Sequence, residues 1–185
     1  IGIGTLIVLL LLIGVGFFYK FNSETRVMKP AETGNIVNNI YAIKDAFVNM
    51  YLIKDSNQYI AIDAGKDIDV VSAELKKLNI DADKVVAVLL THTDMDHVAA
   101  LPLFKNSKIY FSKLEEMMLT GQKQKLPFIS NSISRKDYTL LEEKQTLNIG
   151  NVKIVGISTE GHTSGSMCYQ ANEKYLFTGD ILSLE

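Results

Sequence analysis

Histidine occurs three times in the 185 residues, and all three positions fall in two short segments otherwise rich in Thr, Ser, Gly and acidic residues. The first segment, "THTDMDH", places His92, Asp94, Asp96 and His97 directly after the apolar run "VVAVLL" (85–90). The second, "STEGHTSGS", places His162 between Gly161 and Gly165, just past another strand-like run. Buried polar groups cost free energy unless something satisfies them, so a cluster this dense at a strand end needs a partner, and a cation fits. Neutral imidazoles and carboxylates suit zinc, iron or manganese. In an extended or tightly turned segment, residues i, i+2 and i+4 face one way. That lets His92, Asp94 and Asp96 converge, while His97, opening the next helix, can turn toward a second cation. "YLFTGD" adds Asp180 at another strand end, where its two oxygens could bridge both cations and offset their repulsion. A solvated turn with Asp96 capping the following helix explains the carboxylates but leaves the two histidines unexplained.

The elements that must hold these groups are legible as hydrophobic patterns. Strand-like runs "NIYAI", "FVNMYLI" and "QYIAID" are separated by short polar turns. From Asp67 to Asn79, Val71, Leu75 and Leu78 share one helical face, with Asp67 or Asp69 near its start. The continuous run 85–90 suits a strand buried on both faces. A helix over 96–104, a short strand at "KIYF" and a helix at "SKLEEMML" follow. Strands near Val152–Ser158, Met167–Ala171 and Tyr175–Thr178 complete the pattern. Clustered strands followed by strand–helix alternation predict a layered α/β domain. The lysine-bearing stretch 120–138 reads as loop; its place between the two histidine segments makes it a candidate for the site rim.

Length allows one domain with a sizeable core. A formal net charge of −2 offers no basic surface for nucleic acid, and a single cysteine, Cys168, rules out a disulfide framework or a thiolate zinc site. Cys168 reads as a small buried hydrophobe. Residues 1–19, "IGIGTLIVLLLLIGVGFFY", carry no charge, and as a helix they would span about 28 Å. With Phe17, Phe18 and Tyr19 ahead of Lys20, they predict a single-pass membrane anchor in contact with lipid. A cleaved secretory signal is the alternative, although the run exceeds an ordinary signal core and no small-residue cleavage site follows. Lys20, Arg26 and Lys29 favour a cytoplasmic flank, with the side left open. Residues 20–35, holding Pro30 and Gly34, read as a linker, and 36–185 as the functional domain. The ends, Ile1 and Glu185, look like cuts, so the C-terminal part of that domain is expected to be missing. Oligomeric state is left open.

The set "THTDMDH", "GHTSGS" and "FTGD", preceded by "IAIDAG", resembles the metallo-β-lactamase superfamily over roughly residues 36–185. The resemblance implies a four-layer αββα sandwich with a dinuclear metal site at the strand ends, two divalent ions, zinc first, and a small-molecule substrate. It implies that His92 and His162 bind the first metal, Asp96 and His97 the second, and that Asp180 bridges them. Asp63 in "IDAG" corresponds to a position that supports the metal loop through hydrogen bonds. Asp96 would also orient the nucleophile and shuttle its proton. The family activity is hydrolysis by a metal-activated hydroxide of esters, thioesters, lactones, β-lactams or phosphodiesters. Asp at 180, where many lactamases carry Cys, points away from β-lactams.

Two positions depart from the family pattern. Asp94 stands where His is commonest, which hardens the site and brings iron or manganese into play. A final histidine ligand, expected further along, has no counterpart before Glu185. Two other function classes follow: an iron-dependent oxidoreductase of the flavodiiron type, which also carries a carboxylate at this second position, and an anchored module in which metal only stabilises the fold.

Overall fold

Apolar side chains alternate along the central strands so that each contributes to two different cores, and that division sets the architecture. The computed structural model describes residues 2–125 and 130–182. The chain divides into a helical unit ending at Lys29 and a second unit, Pro30–Leu182.

The first unit contains α1 (Ile3–Val27), which starts without a side-chain cap and leaves helical geometry at Met28. Pro30 accounts for the stop, because a proline disfavours the helical region for the residue before it. The expected membrane anchor is not borne out: among the described residues no helix is long and apolar enough to cross a membrane. The helix runs on into Lys20, Glu24 and Arg26. The membrane localisation and the lipid contact are withdrawn on that ground. The linker expected over 20–35 is likewise helical through Val27.

In the second unit, β1 (Gly34–Val37), β2 (Ile40–Asp45), β3 (Val48–Asp55) and β4 (Gln58–Ile62) form an antiparallel meander. After α2 (Ile68–Lys77), β5 (Val85–Leu89) joins β4 in parallel. Then α3 (Met95–Val98), β6 (Lys108–Ser112), α4 (Glu116–Leu119) and β7 (Tyr138–Leu141) continue the sheet, with β6 and β7 also parallel. The described residues thus give a seven-stranded mixed sheet in the order β1-β2-β3-β4-β5-β6-β7. A second, antiparallel sheet in the order β11-β10-β9-β8 is built from β8 (Thr146–Ile149), β9 (Val152–Ser158), β10 (Met167–Ala171) and β11 (Tyr175–Phe177).

Ala61 and Val88 point to one face of the large sheet, where Val71 and Leu75 of α2 cover them together with Leu101 and Phe104. Ile60, Ile62, Ala87 and Leu89 point to the other face and meet Val152, Ile154, Met167 and Tyr169 of the small sheet. Each fully buried Val, Leu or Ile among them contributes about 1.5–3 kcal/mol. α2 is fixed at its start by Asp67, which accepts from the N–H groups of Asp69 and Val70 at 2.9 and 3.1 Å. The helix expected over 96–104 is instead α3 followed by a 3-10 turn at Leu101–Leu103. Pro102 lacks the N–H that a continuous helix needs there.

Candidate metal centre

Parallel strands leave a crevice beyond their carboxyl ends, the habitual place for ligands in α/β sheets. The chain turns at those ends after β4 and β5. Asp63 follows β4 with φ +62°. It accepts from Thr91 N at 2.7 Å and from Thr91 Oγ1 at 2.9 Å, and meets His97 Nδ1 at 2.9 Å. Thr91 Oγ1 lies 2.9 Å from His92 Nδ1. With the threonine proton directed to Asp63, His92 must donate from Nδ1, just as His97 does. Both rings therefore present a bare or spare Nε2 away from this support. Burial, aided by neighbouring His97, holds His92 down at about 4, so its imidazole is neutral at pH 7.

The Nε2 atoms of His92 and His97 are buried, and among the described residues neither has a hydrogen-bond partner. The two ring centroids are 4.1 Å apart, and that of His162 is 4.7 Å from His92. Asp180 reaches between them. Its Oδ1 is 3.2 Å from His97 Nε2, off the hydrogen-bond axis, and its Oδ2 is 3.5 Å from His162 Nε2 and 4.0 Å from His92 Nε2. Asp94 Oδ2 is 3.1 Å from His162 Nε2 and 3.6 Å from His92 Nε2. Two triads result, His92–Asp94–His162 and His92–His97–Asp180, each with ligand atoms within 4.8 Å of one another. Asp96 is close enough to interact with His97, Asp180 and Asp94, and burial raises its carboxyl, but it joins neither triad.

The electrostatics ask for positive charge. For His97, burial pulls its protonation downward, yet Asp63 and Asp180 outweigh it and hold the ring well above the ordinary value. Burial pulls Asp180 upward, and the closeness of His97, with His92 and His162 beside it, overcomes this, leaving it at about 2. Asp94 is likewise pulled upward by burial and brought far below the ordinary range by His162 and Lys125. Two imidazole nitrogens without a hydrogen-bond partner among the described residues, facing a pair of ionised carboxylates, fit divalent cations, whose binding would displace the proton that Asp63 and Asp180 favour on His97.

Glu115, which falls in the helix expected at "SKLEEMML", proves to be the buckle of the site. It is fully buried just before α4. It accepts from Thr93 N at 2.8 Å, Thr93 Oγ1 at 2.7 Å and Thr163 Oγ1 at 2.6 Å. One carboxylate thereby joins the loop of His92 to the loop of His162. Its partners lie 22 and 48 residues away, so no local pattern announces it. Ser112 Oγ donates to Gly165 O at 2.6 Å, and Met167 N to Thr91 O at 2.9 Å. The Tyr169 hydroxyl donates to Leu90 O at 2.8 Å. Asn131, from the 120–138 loop, donates to Asp94 Oδ1 at 2.9 Å, and Lys125 also enters the site. Residues 126–129 of that loop lie outside the described residues.

Gly165 is required by this buckle. A Cβ there would fall 2.0 Å from Glu115 N and 2.3 Å from its Cα. Gly165→Ala is therefore expected to lower stability by about 1–3 kcal/mol, read from the urea unfolding midpoint. A midpoint equal to the parent would show that the two segments separate freely.

A model of the metallo-beta-lactamase superfamily matches residues 43–184. One relative, the probable polyketide biosynthesis zinc-dependent hydrolase BaeB of Bacillus velezensis, is 35% identical over 140 residues, covering 73% of this chain and 55% of its own. PksB of Bacillus subtilis, described in the same words, is 31% identical over 160 residues, covering 82% of this chain and 64% of its own. MEM-A1, a subclass B3 metallo-beta-lactamase isolated from a soil metagenome library, superposes with a TM-score of 0.67 over 78% of this chain and 58% of that one. At 17% identity this is a likeness of fold alone. The chain spans between about half and two thirds of the length of the curated relatives it matches.

Proposed function

The chain belongs to the metallo-β-lactamase superfamily, and from that premise we propose that it is a metal-dependent hydrolase of an ester, thioester, lactone or phosphodiester. The observation carrying this reading is the pair of buried Nε2 atoms of His92 and His97, without a hydrogen-bond partner among the described residues, converging on Asp180. His92, Asp94 and His162 would hold one divalent ion, His97 and Asp96 a second, with Asp180 between them. Zinc is the first choice for such imidazole and carboxylate donors, and both named relatives are described as zinc-dependent. On the same premise we assign the fold as a four-layer αββα sandwich, of which α2, the large sheet and the small sheet supply three layers.

When bound, such ions supply Lewis acidity and make a water molecule acidic enough to attack at neutral pH. The chain's own residues do the rest. Asp63 fixes the rings of His92 and His97 through Thr91 and directly. Glu115 holds the two histidine loops at a set separation. Asp96 takes up the proton of the attacking water and hands it to the leaving group. Substrate identity is left to the rim loops, because a fold does not choose a substrate.

Elemental analysis of the intact protein is expected to find two zinc equivalents. Dialysis against a chelator should remove them together with hydrolysis of nitrophenyl esters, acyl thioesters, lactones or bis(nitrophenyl) phosphate, and zinc should restore both. A protein that stays metal-free after growth in zinc-supplemented medium, or whose hydrolysis survives chelation, overturns the proposal. The position of Asp94 inside the first triad favours a second reading, an iron-dependent oxidoreductase. Iron in place of zinc, with oxygen or nitric oxide consumption and no hydrolysis, would select it. Zinc retained with no turnover of any kind would select a metal-stabilised module.

A further inference from the structure

Lys125 comes from the loop between α4 and β7, outside every motif that marks the site. Its ammonium meets Asp94 Oδ2 and stands 2.8 Å from His162 Nε2. Those two atoms are 3.1 Å apart and belong to the first triad. Asn131, from the same loop, donates to the other oxygen of Asp94 at 2.9 Å and to Thr93 Oγ1 at 3.0 Å. Asp94 is thereby fixed on one side, and the oxygen left for a cation is the one that Lys125 takes. The arrangement is partly sheltered, with 35% of the Lys125 side chain and 19% of the Asp94 side chain exposed. In the second triad, by contrast, His97 Nε2 has no hydrogen-bond partner among the described residues.

An ammonium has donors and no lone pair. It therefore competes with a metal ion for the same acceptor atoms and cannot share them. A lysine stem is long and flexible, and its head readily exchanges protein for water. We propose that Lys125 is a tethered cation that occupies the first metal position of the metal-free protein and must swing out before an ion enters. The two positions then fill in order: the His97–Asp180 side first, and the Asp94–His162 side second and more weakly. The inference rests on the reading of these side chains as metal ligands. It adds an internal competitor that makes occupancy of one position depend on zinc supply.

The test is a zinc titration of the intact protein against a chromophoric chelator, in the parent and in Lys125→Met and Lys125→Arg. The parent should bind two equivalents of unequal affinity. Lys125→Met should tighten the weaker equivalent by roughly tenfold or more, the worth of a charge-assisted hydrogen bond, and leave the stronger one unchanged. Lys125→Arg keeps the charge and should keep the parental spread. Metal-free Lys125→Met should melt below the metal-free parent, since Asp94 loses its counter-ion, while the zinc-loaded forms melt together. An unchanged weaker equivalent in Lys125→Met, or equal tightening in Lys125→Arg, overturns the inference. A parent that binds no zinc sinks the metal reading itself, a different result.

Discussion

Replacing Asp180 by alanine is expected to lower hydrolysis by roughly a thousandfold, the scale of losing a charge that stabilises the transition state, and to remove at least one metal equivalent. The reason lies in reach. Asp180 has one oxygen 3.2 Å from His97 Nε2 and the other 3.5 and 4.0 Å from His162 and His92. It therefore faces all three histidines at once. Asp94 approaches His92 and His162, so its loss would spare the His97 side. The residue before Asp180 explains how it gets there. Gly179 adopts φ +50°, and a Cβ on it would lie 2.5 Å from Thr91 Oγ1. The backbone thus passes close over the threonine that supports His92. Metal analysis beside turnover separates the causes: Asp180→Asn keeps the shape and should retain more metal than Asp180→Ala. Two full equivalents and parental turnover in Asp180→Ala would remove Asp180 from the proposed centre.

Glu115→Ala should cost about 2–4 kcal/mol, the sum of lost charge-assisted bonds less the relief of unburying a carboxylate. It should also weaken metal binding by roughly ten- to a hundredfold, the usual effect of removing a residue that orients ligands. Three donors, Thr93 N, Thr93 Oγ1 and Thr163 Oγ1, lose their acceptor in a space closed to water. Glu115→Gln is the informative companion. Its amide oxygen can still accept from Thr93, and its NH2 can face Thr163, whose hydroxyl also lies 2.9 Å from Ser166 Oγ and can donate there. The glutamine variant should therefore keep most of the stability, while alanine does not. A urea midpoint and a zinc affinity unchanged in Glu115→Ala would show that the two loops hold their spacing without the buckle.

How much of this was readable beforehand follows from how local each signal is. The limits of β9 and β10 agree with the runs Val152–Ser158 and Met167–Ala171, because their inward residues are apolar and their turns polar. The run 85–90 carries β5, buried on both faces as its unbroken hydrophobicity implied. Asp67 caps α2 by the mechanism its position suggested. β1 and β7 carry no apolar alternation because most of their residues are exposed or only half-buried, and β8 alternates over only four residues, too short a run to stand out. "SKLEEMML" gives helix only over Glu116–Leu119, since Glu115 is drawn inward by threonines distant in sequence. The helix that begins in the apolar N-terminal run passes through Lys20, Glu24 and Arg26 because these are good helix formers and neither Gly nor Pro stands between Gly16 and Pro30. His92, Asp94, His97, His162 and Asp180, named from two motifs and a Gly-Asp turn, do come together in space. Asp63 accepts hydrogen bonds from the same loop. Lys125, Asn131 and Glu115 were beyond reach of any spacing rule, for their roles exist only once the chain is folded.

The Met167 amide and the Tyr169 hydroxyl land on the carbonyls of adjacent residues, Thr91 and Leu90. At this edge the two sheets are thus joined on one side through backbone carbonyls, while Glu115 ties the neighbouring loops through side chains. A change of side chain at 167 leaves its amide bond in place, whereas the bond from position 169 lasts only as long as the tyrosine stays. On the proposed reading, a scaffold sewn in this way can keep its metal-holding centre while the loops around the edge are rewritten.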